Sequence, residues 1–307
     1  MELTLLYPGQ GSQAVGMGRD LYDQVPEARA RFEEADSILG RGLTKIIFDG
    51  PDDELKDTRN TQPALFTVEA ALTDLLLASG VVPDYAAGHS LGEYSALYAA
   101  GVISFEDGLR TVAARGAAMA RAGERNPGAM AAIVGMDRDK IVSVLAQVKS
   151  GVVVPANENS PDQTVISGEV AAVNEACELL KEAGAKRAIP LPVSGAFHSP
   201  LMQPAAEELA AALEPVNFLA PRCPVIANVT ARPEGDPALM KDLLIRQLIS
   251  PVRWVDSMKT LFECRPSNCA EVGPGAVLKG LMKKCQPEIN VVSCDGVNNV
   301  YSLLGLK

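Results

Sequence analysis

Tyr85-Ala86-Ala87-Gly88-His89-Ser90-Leu91-Gly92 leads from a short apolar run into a stretch of small and apolar residues, Leu91 to Ala100, that Gly101 stops. This pattern predicts a strand, a sharp turn and a helix. Its centre fits G-x-S-x-G, in which glycines two before and two after the serine let the chain turn tightly and raise the hydroxyl above a sheet. Leu91 opens the predicted helix, so its backbone N–H points into the space beside the serine oxygen. The helix dipole there favours a developing oxyanion.

Upstream, the apolar run Leu3 to Tyr7 ends in Pro8-Gly9-Gln10-Gly11-Ser12, a turn that lets backbone approach a ligand closely and leaves Gln10 at the end of a first strand. Thr61 as a cap, Pro63 in the first turn and an apolar period through Leu65, Val68, Leu72 and Leu76 predict a helix closing at Gly80. Ser104 and Asp107 have capping-box spacing and open another, which carries Arg115 and closes at Gly123.

From about Gly128 to Pro192 the order of predicted elements is β-α-β-β-α-β, the signature of a ferredoxin-like unit. The chain is therefore expected to be α/β. Residues 1–126 and 194–307 form an α/β-hydrolase-like catalytic domain with a parallel sheet, and 127–193 an inserted ferredoxin-like (βαββαβ) subdomain.

Composition narrows the function. The chain has 307 residues, 47% hydrophobic and 21% charged, with a formal charge of −10. Such a balance argues against nucleic acid, which demands a surplus of Lys and Arg. The longest apolar window, Ala64 to Ala78, is broken by Glu69 and Asp74, so no membrane span is expected. The first residues lack a basic leader and read as a core strand, so a cytoplasmic location is expected. Six cysteines without a C-x-x-C pair, and only two histidines, predict reduced thiols and no metal.

A serine hydroxyl needs a base, and the candidates are His89 and His198. His89 adjoins Ser90 in an extended segment where successive side chains face opposite ways, so the base falls to His198. No Asp or Glu lies within several residues of His198, which predicts a Ser-His dyad oriented by a backbone or amide carbonyl. Arg115 stands among Ala114, Gly116, Ala117 and Ala118. It reads either as a solvated charge, like Arg110 and Arg121, or as a guanidinium in a groove matched to a substrate carboxylate.

These pieces together resemble the malonyl-CoA:acyl carrier protein transacylases of fatty acid synthesis and the related acyltransferase domains of polyketide synthases. The resemblance runs through Tyr7 to Gln13, Gly88 to Tyr94, Arg115-Gly116, Gly195 to His198, Gln247 with Pro251-Val252-Arg253-Trp254, and Glu271 to Gly275. It implies Ser90 as nucleophile, His198 as general base and acid, and the N–H groups of Gln10 and Leu91 as the oxyanion hole. It further implies that Arg115 grips the malonyl carboxylate, that a Gln247 carbonyl orients the histidine, and that Phe197 favours malonyl over methylmalonyl. The implied substrates are malonyl-CoA and an acyl carrier protein, with no cofactor, in a ping-pong cycle. Carriers of this kind are acidic, so Lys279, Lys283 and Lys284, or Lys181, Lys186 and Arg187, are candidates for docking. Asn157 and Asn159 are expected in a turn of the insertion, near the cleft. The competing readings are a serine esterase or thioesterase, which delivers the acyl group to water, and a non-catalytic carrier-binding relative.

Overall fold

A computed structural model describes residues 1–193 and 195–306. Among the described residues ten strands are formed: β1 (Glu2–Tyr7), β2 (Val82–Gly88), β3 (Gly128–Val134), β4 (Val153–Ser160), β5 (Gln163–Glu169), β6 (Arg187–Pro190), β7 (Val225–Ile226), β8 (Pro233–Glu234), β9 (Asn268–Val272) and β10 (Val291–Cys294). The larger sheet has the order β10-β9-β1-β2-β7-β8. All its neighbours run parallel except β7 and β8. β1 is a continuous apolar run, and Leu3, Leu5, Leu6 and Tyr7 are all fully buried. That is the pattern of a parallel strand covered by helices on both faces.

The helix Thr58–Ala78 starts earlier than the sequence suggests. Asp57, not Thr61, caps it by accepting from the Arg59 N–H. Pro63 therefore lies inside the helix and cannot donate to the carbonyl of Arg59 four residues back. Arg41 Nη2 does so instead, at 3.0 Å. Ser104 caps the helix Phe105–Arg125 as expected, its side chain accepting from the Asp107 N–H, but the helix runs on through Gly123. These two helices are packed backbone to backbone where they meet: a Cβ on Gly116 would stand 2.5 Å from the carbonyl oxygen of Thr58.

The second sheet is antiparallel, in the order β4-β5-β3-β6, with the helices Arg138–Leu145 and Val170–Glu182 between its strands in sequence. Its buried side, Ala131, Ile133 and Ile166, packs on Ile141, Val173 and Leu180 of those helices. β4 reaches back to the larger unit, where Val252 N donates to Ala156 O at 2.8 Å and Glu158 N to Val252 O at 2.9 Å. Asn157 and Asn159 lie within β4, not in a turn. Among the described residues no helix is long and apolar enough to cross a membrane. Ser194, at the expected boundary of the insertion, and Lys307 lie outside the described residues.

Candidate active site

The site lies beyond the carboxyl ends of β1 and β2, the usual position for ligands on an open parallel sheet. After Gly88 the chain reverses through His89 and Ser90 into the helix Gly92–Ala99. Ser90 has φ 52°, in the left-handed region that side chains avoid. Contact enforces the turn. A Cβ on Gly88 would fall 1.9 Å from the Gly92 carbonyl, and one on Gly92 would fall 2.2 Å from the Tyr7 oxygen. Asn228 closes the elbow across its neck: Oδ1 accepts from Ser90 N at 2.8 Å and Nδ2 donates to Gly88 O at 2.6 Å.

Ser90 Oγ is 2.8 Å from His198 Nε2, and His198 Nδ1 is 2.8 Å from the backbone oxygen of Gln247. A carbonyl can only accept, so Nδ1 carries the hydrogen and Nε2 is free to accept the serine proton. Burial first, and then the Arg115 guanidinium, push the histidine pKa down to about 3. The ring is therefore neutral near pH 7. His89 turns elsewhere, its Nε2 2.8 Å from Asn159 Oδ1 and its ring 5.4 Å from that of Trp254.

Arg115 is 1% exposed, which excludes the solvated reading. Nη1 donates to Gln62 Oε1 at 2.8 Å, and Nη2 to Gln247 Oε1 at 2.9 Å and Ser90 Oγ at 3.1 Å. Tyr94 presents its ring face 5.5 Å from the guanidinium carbon. No carboxylate pairs with Arg115 among the described residues, and burial lowers its pKa. A buried cation held only by neutral acceptors is poised for an incoming anion.

A cavity of about 120 Å³ joins these groups. Gln10, His89, Ser90, Arg115, His198 and Asn157 of β4 line its polar side; Met119, Met130, Leu191, Val193 and Phe197 line the rest. Among the described residues neither the Gln10 nor the Leu91 N–H has a hydrogen-bond partner, and the Gln10 side chain is tied to Thr58 Oγ1 at 3.0 Å. A further recess of about 260 Å³ shares Gln10, Met119, Val193 and Phe197 and continues to Lys56 and Arg59.

Ser90, His198, Arg115, Gln247, Gln10 and Phe197 thus meet at one place, whereas Asn159 bonds to His89 and neither basic cluster lines the cavity. Sequence reasoning missed Asn228, Gln62 and Glu93. Glu93 is 3% exposed, and its pKa is pushed up to about 7, chiefly by burial, with the Gln247 hydrogen bond opposing. A carboxylate directly after the G-x-S-x-G glycine, in a helix of otherwise small and apolar residues, was the available signal for it. Asn228 follows a two-residue strand and carried none.

A serine on a strand–elbow–helix turn, with a neutral histidine on its oxygen, defines a nucleophile for acyl transfer. The chain belongs to the acyl transferase domain family, whose model matches residues 4–298. It is 47% identical over 294 residues to the malonyl CoA-acyl carrier protein transacylase of Bacillus subtilis, covering 95% of this chain and 93% of the relative. With the Escherichia coli K12 protein of the same name it shares 45% identity, covering 92% of each. Among solved structures, it matches a malonyl-transacylase in complex with its type II polyketide synthase acyl-carrier protein, with a TM-score of 0.96 and 40% identity over 99% of both chains. An acyl carrier protein S-malonyltransferase from Vibrio cholerae matches with a TM-score of 0.94 and 44% identity over 98% of this chain and 99% of that one.

Proposed function

We propose that this chain is a malonyltransferase that moves the malonyl group of malonyl-CoA to the phosphopantetheine thiol of an acyl carrier protein through an ester on Ser90. One observation carries the proposal: Ser90 Oγ lies between the acceptor nitrogen of a neutral histidine, at 2.8 Å, and a buried arginine without a carboxylate partner, at 3.1 Å. The first makes an acyl nucleophile, and the second selects an acyl group that ends in a carboxylate.

In the first half-reaction the malonyl carboxylate sits on Arg115 and the thioester carbonyl stands over Ser90. Oγ attacks as its proton passes to His198 Nε2, and the Gln247 carbonyl stabilises the imidazolium through Nδ1. The N–H groups of Gln10 and Leu91 take the oxyanion. Collapse breaks the C–S bond, and CoA leaves with the proton from His198. The carrier thiol then repeats the cycle in reverse. No cofactor enters this scheme, and the products supply malonyl units for fatty acid or polyketide synthesis. Phe197 fills the space that a branching methyl requires, so malonyl is preferred to methylmalonyl by about 1–3 kcal/mol.

We read residues 1–126 and 194–307 as the α/β-hydrolase-like domain and 127–193 as the ferredoxin-like insertion. The elbow on a mostly parallel sheet supports the first reading, and the antiparallel order β4-β5-β3-β6 supports the second. Six free cysteines, four of them buried, suit a cytoplasmic protein.

The test is incubation with malonyl-CoA alone, an acid quench and peptide mass spectrometry. The expected result is a malonyl adduct on the Ser90 peptide that disappears when holo carrier protein is added and never forms on Ser90→Ala. Free malonate accumulating without adduct would instead identify a hydrolase, and an adduct on another residue would overturn the assignment of Ser90.

A further inference from the structure

Arg115, His198 and the Ser90 elbow come from three separate parts of the chain, yet behind them lies one shared oxygen. Glu93 Oε2 accepts from Gln247 Nε2 at 2.7 Å and from the backbone N–H of Asn228 at 3.2 Å. Each of these partners has its other atoms on the site. Gln247 offers Oε1 to Arg115 and its backbone oxygen to His198 Nδ1, and Nε2 also reaches Ser90 O at 3.0 Å. Asn228 clamps Ser90 N and Gly88 O.

Geometry sets the direction of every bond. An amide can point its oxygen or its nitrogen either way, and only acceptors on the Nε2 side, Glu93 Oε2, Ser90 O and Asn228 Oδ1, keep the Gln247 oxygen facing Arg115. If that amide flipped, it would set an NH2 group against the guanidinium. Gln247 is fully buried, so no water can replace a lost partner. Gln247, at the end of the helix Pro237–Gln247, and Asn228 are joined to the same atom, so movement of either segment disturbs the other.

We propose that Glu93 is a positioning residue for acyl transfer: through Gln247 it holds Arg115 and His198, and through Asn228 it holds the nucleophile elbow. It touches neither substrate nor reacting atoms. The inference rests on the proposed malonyl transfer through Ser90.

Three variants test it: Glu93→Ala, Glu93→Gln and Glu93→Asp. Each is checked for folding by thermal melting and assayed by rapid quench for acylation of Ser90 from malonyl-CoA and from acetyl-CoA. Glu93→Gln keeps an acceptor at the same reach and is expected to retain malonyl kcat/KM within about fivefold. Glu93→Asp keeps the charge but withdraws the oxygen by one methylene, and is expected to fall well below Glu93→Gln. Glu93→Ala is expected to slow acylation by both thioesters, and malonyl at least tenfold more than acetyl, because only malonyl uses Arg115. A malonyl rate in Glu93→Ala within threefold of wild type would overturn the proposal. So would equal malonyl and acetyl losses that track the drop in melting temperature, the mark of a residue that merely supports the fold. Should Glu93→Ala fail to fold, the order of the other two decides, and Glu93→Asp matching or exceeding Glu93→Gln refutes the role. Wild-type protein that forms no Ser90 ester would instead sink the underlying function and leave these comparisons without a reaction to read.

Discussion

Arg115 presses on two neighbours at once, donating to the Ser90 oxygen and depressing the basicity of His198. A malonyl carboxylate on the guanidinium offsets that charge and returns part of the histidine's proton affinity, whereas an acetyl group leaves it unchanged. Removing the cation therefore acts in opposite directions on the two substrates. Each hydrogen bond to a charged group contributes about 1.5–3 kcal/mol, so loss of the bidentate contact in Arg115→Ala is expected to lower malonyl kcat/KM by roughly 10²-fold or more. Acetyl transfer is expected to hold steady or rise, and equal losses would refute the carboxylate-binding role. The histidine also predicts a pH dependence of stability. Its folded pKa, about 3, lies below its unfolded value of 6.5, so its contribution is complete above pH 6.5 and is lost as pH falls toward 3. Glu93, raised to about 7, has the opposite sign: its contribution is complete below pH 4.5 and is lost as pH rises through 7. Both effects fall between pH 4.5 and 7, so urea unfolding at these two pH values isolates the histidine only when wild type is compared with His198→Asn. Wild type is expected to lose more stability on acidification than His198→Asn, by of order a few kcal/mol at most; parallel slopes would mean that the folded protein charges this histidine freely. At this scale the proposed nucleophile and base were legible in the sequence because Ser90 sits in a G-x-S-x-G turn and the chain has only two histidines, whereas Arg115 stood out only by its small neighbours. Asn228 and Gln62 were not, because a single polar side chain in a loop or helix announces no partner.

The elements were legible wherever a period or a cap was strong. The β-α-β-β-α-β order of the insertion was readable because its strands contain short apolar runs separated by amphipathic helices, and the structure reproduces that order from β3 to β6. Ser104 was readable as a cap for the same local reason. The helix Thr58–Ala78 was placed four residues late because Pro63 reads as a helix start, whereas here a guanidinium from Arg41 satisfies the carbonyl that proline leaves open. That contact is tertiary, and no window along the chain contains it. β9 was missed outright: five residues between a Pro-Ser turn and a glycine-rich loop give too short a run, yet it joins β10 to β1 in the sheet. The four helices from Arg19 to Lys56 drew no assignment either. Three are seven residues or shorter, and their apolar residues, Leu21, Leu43, Ile47 and Leu55, are too sparse to show a period until they meet in one core.

Across the whole molecule the insertion serves as a wall of the cavity and as part of an outer face. Met130 and Asn157 line the site, while the far turns of the same sheet reach the helix Val277–Cys285. Gly135 N donates to Asp162 O at 2.7 Å, the Lys186 stem lies against Gly135, and Lys284 Nζ is 3.2 Å from Asp162 Oδ1. One member of each basic cluster read from the sequence, Lys186 and Lys284, thus stands at the same pair of turns. Their members are not equivalent. Lys284 is paired with Asp162 and Lys181 with Glu178, whereas Lys186, Arg187, Lys279 and Lys283 are exposed and make no ion pair among the described residues. In a protein of net charge −10, unpaired cations on this outer face attract an acidic carrier at encounter and contribute little to holding it. Reversing Lys186 and Lys283 to Glu together is expected to raise the KM for carrier protein about tenfold at low salt. The effect is expected to shrink toward twofold at high ionic strength, where screening removes the attraction for both proteins. Malonylation of Ser90 from malonyl-CoA is expected to be unchanged, since neither side chain lines the cavity. A KM that does not move at low salt would take this face out of carrier docking, and a loss that persists undiminished in high salt would point to a short-range contact in place of steering.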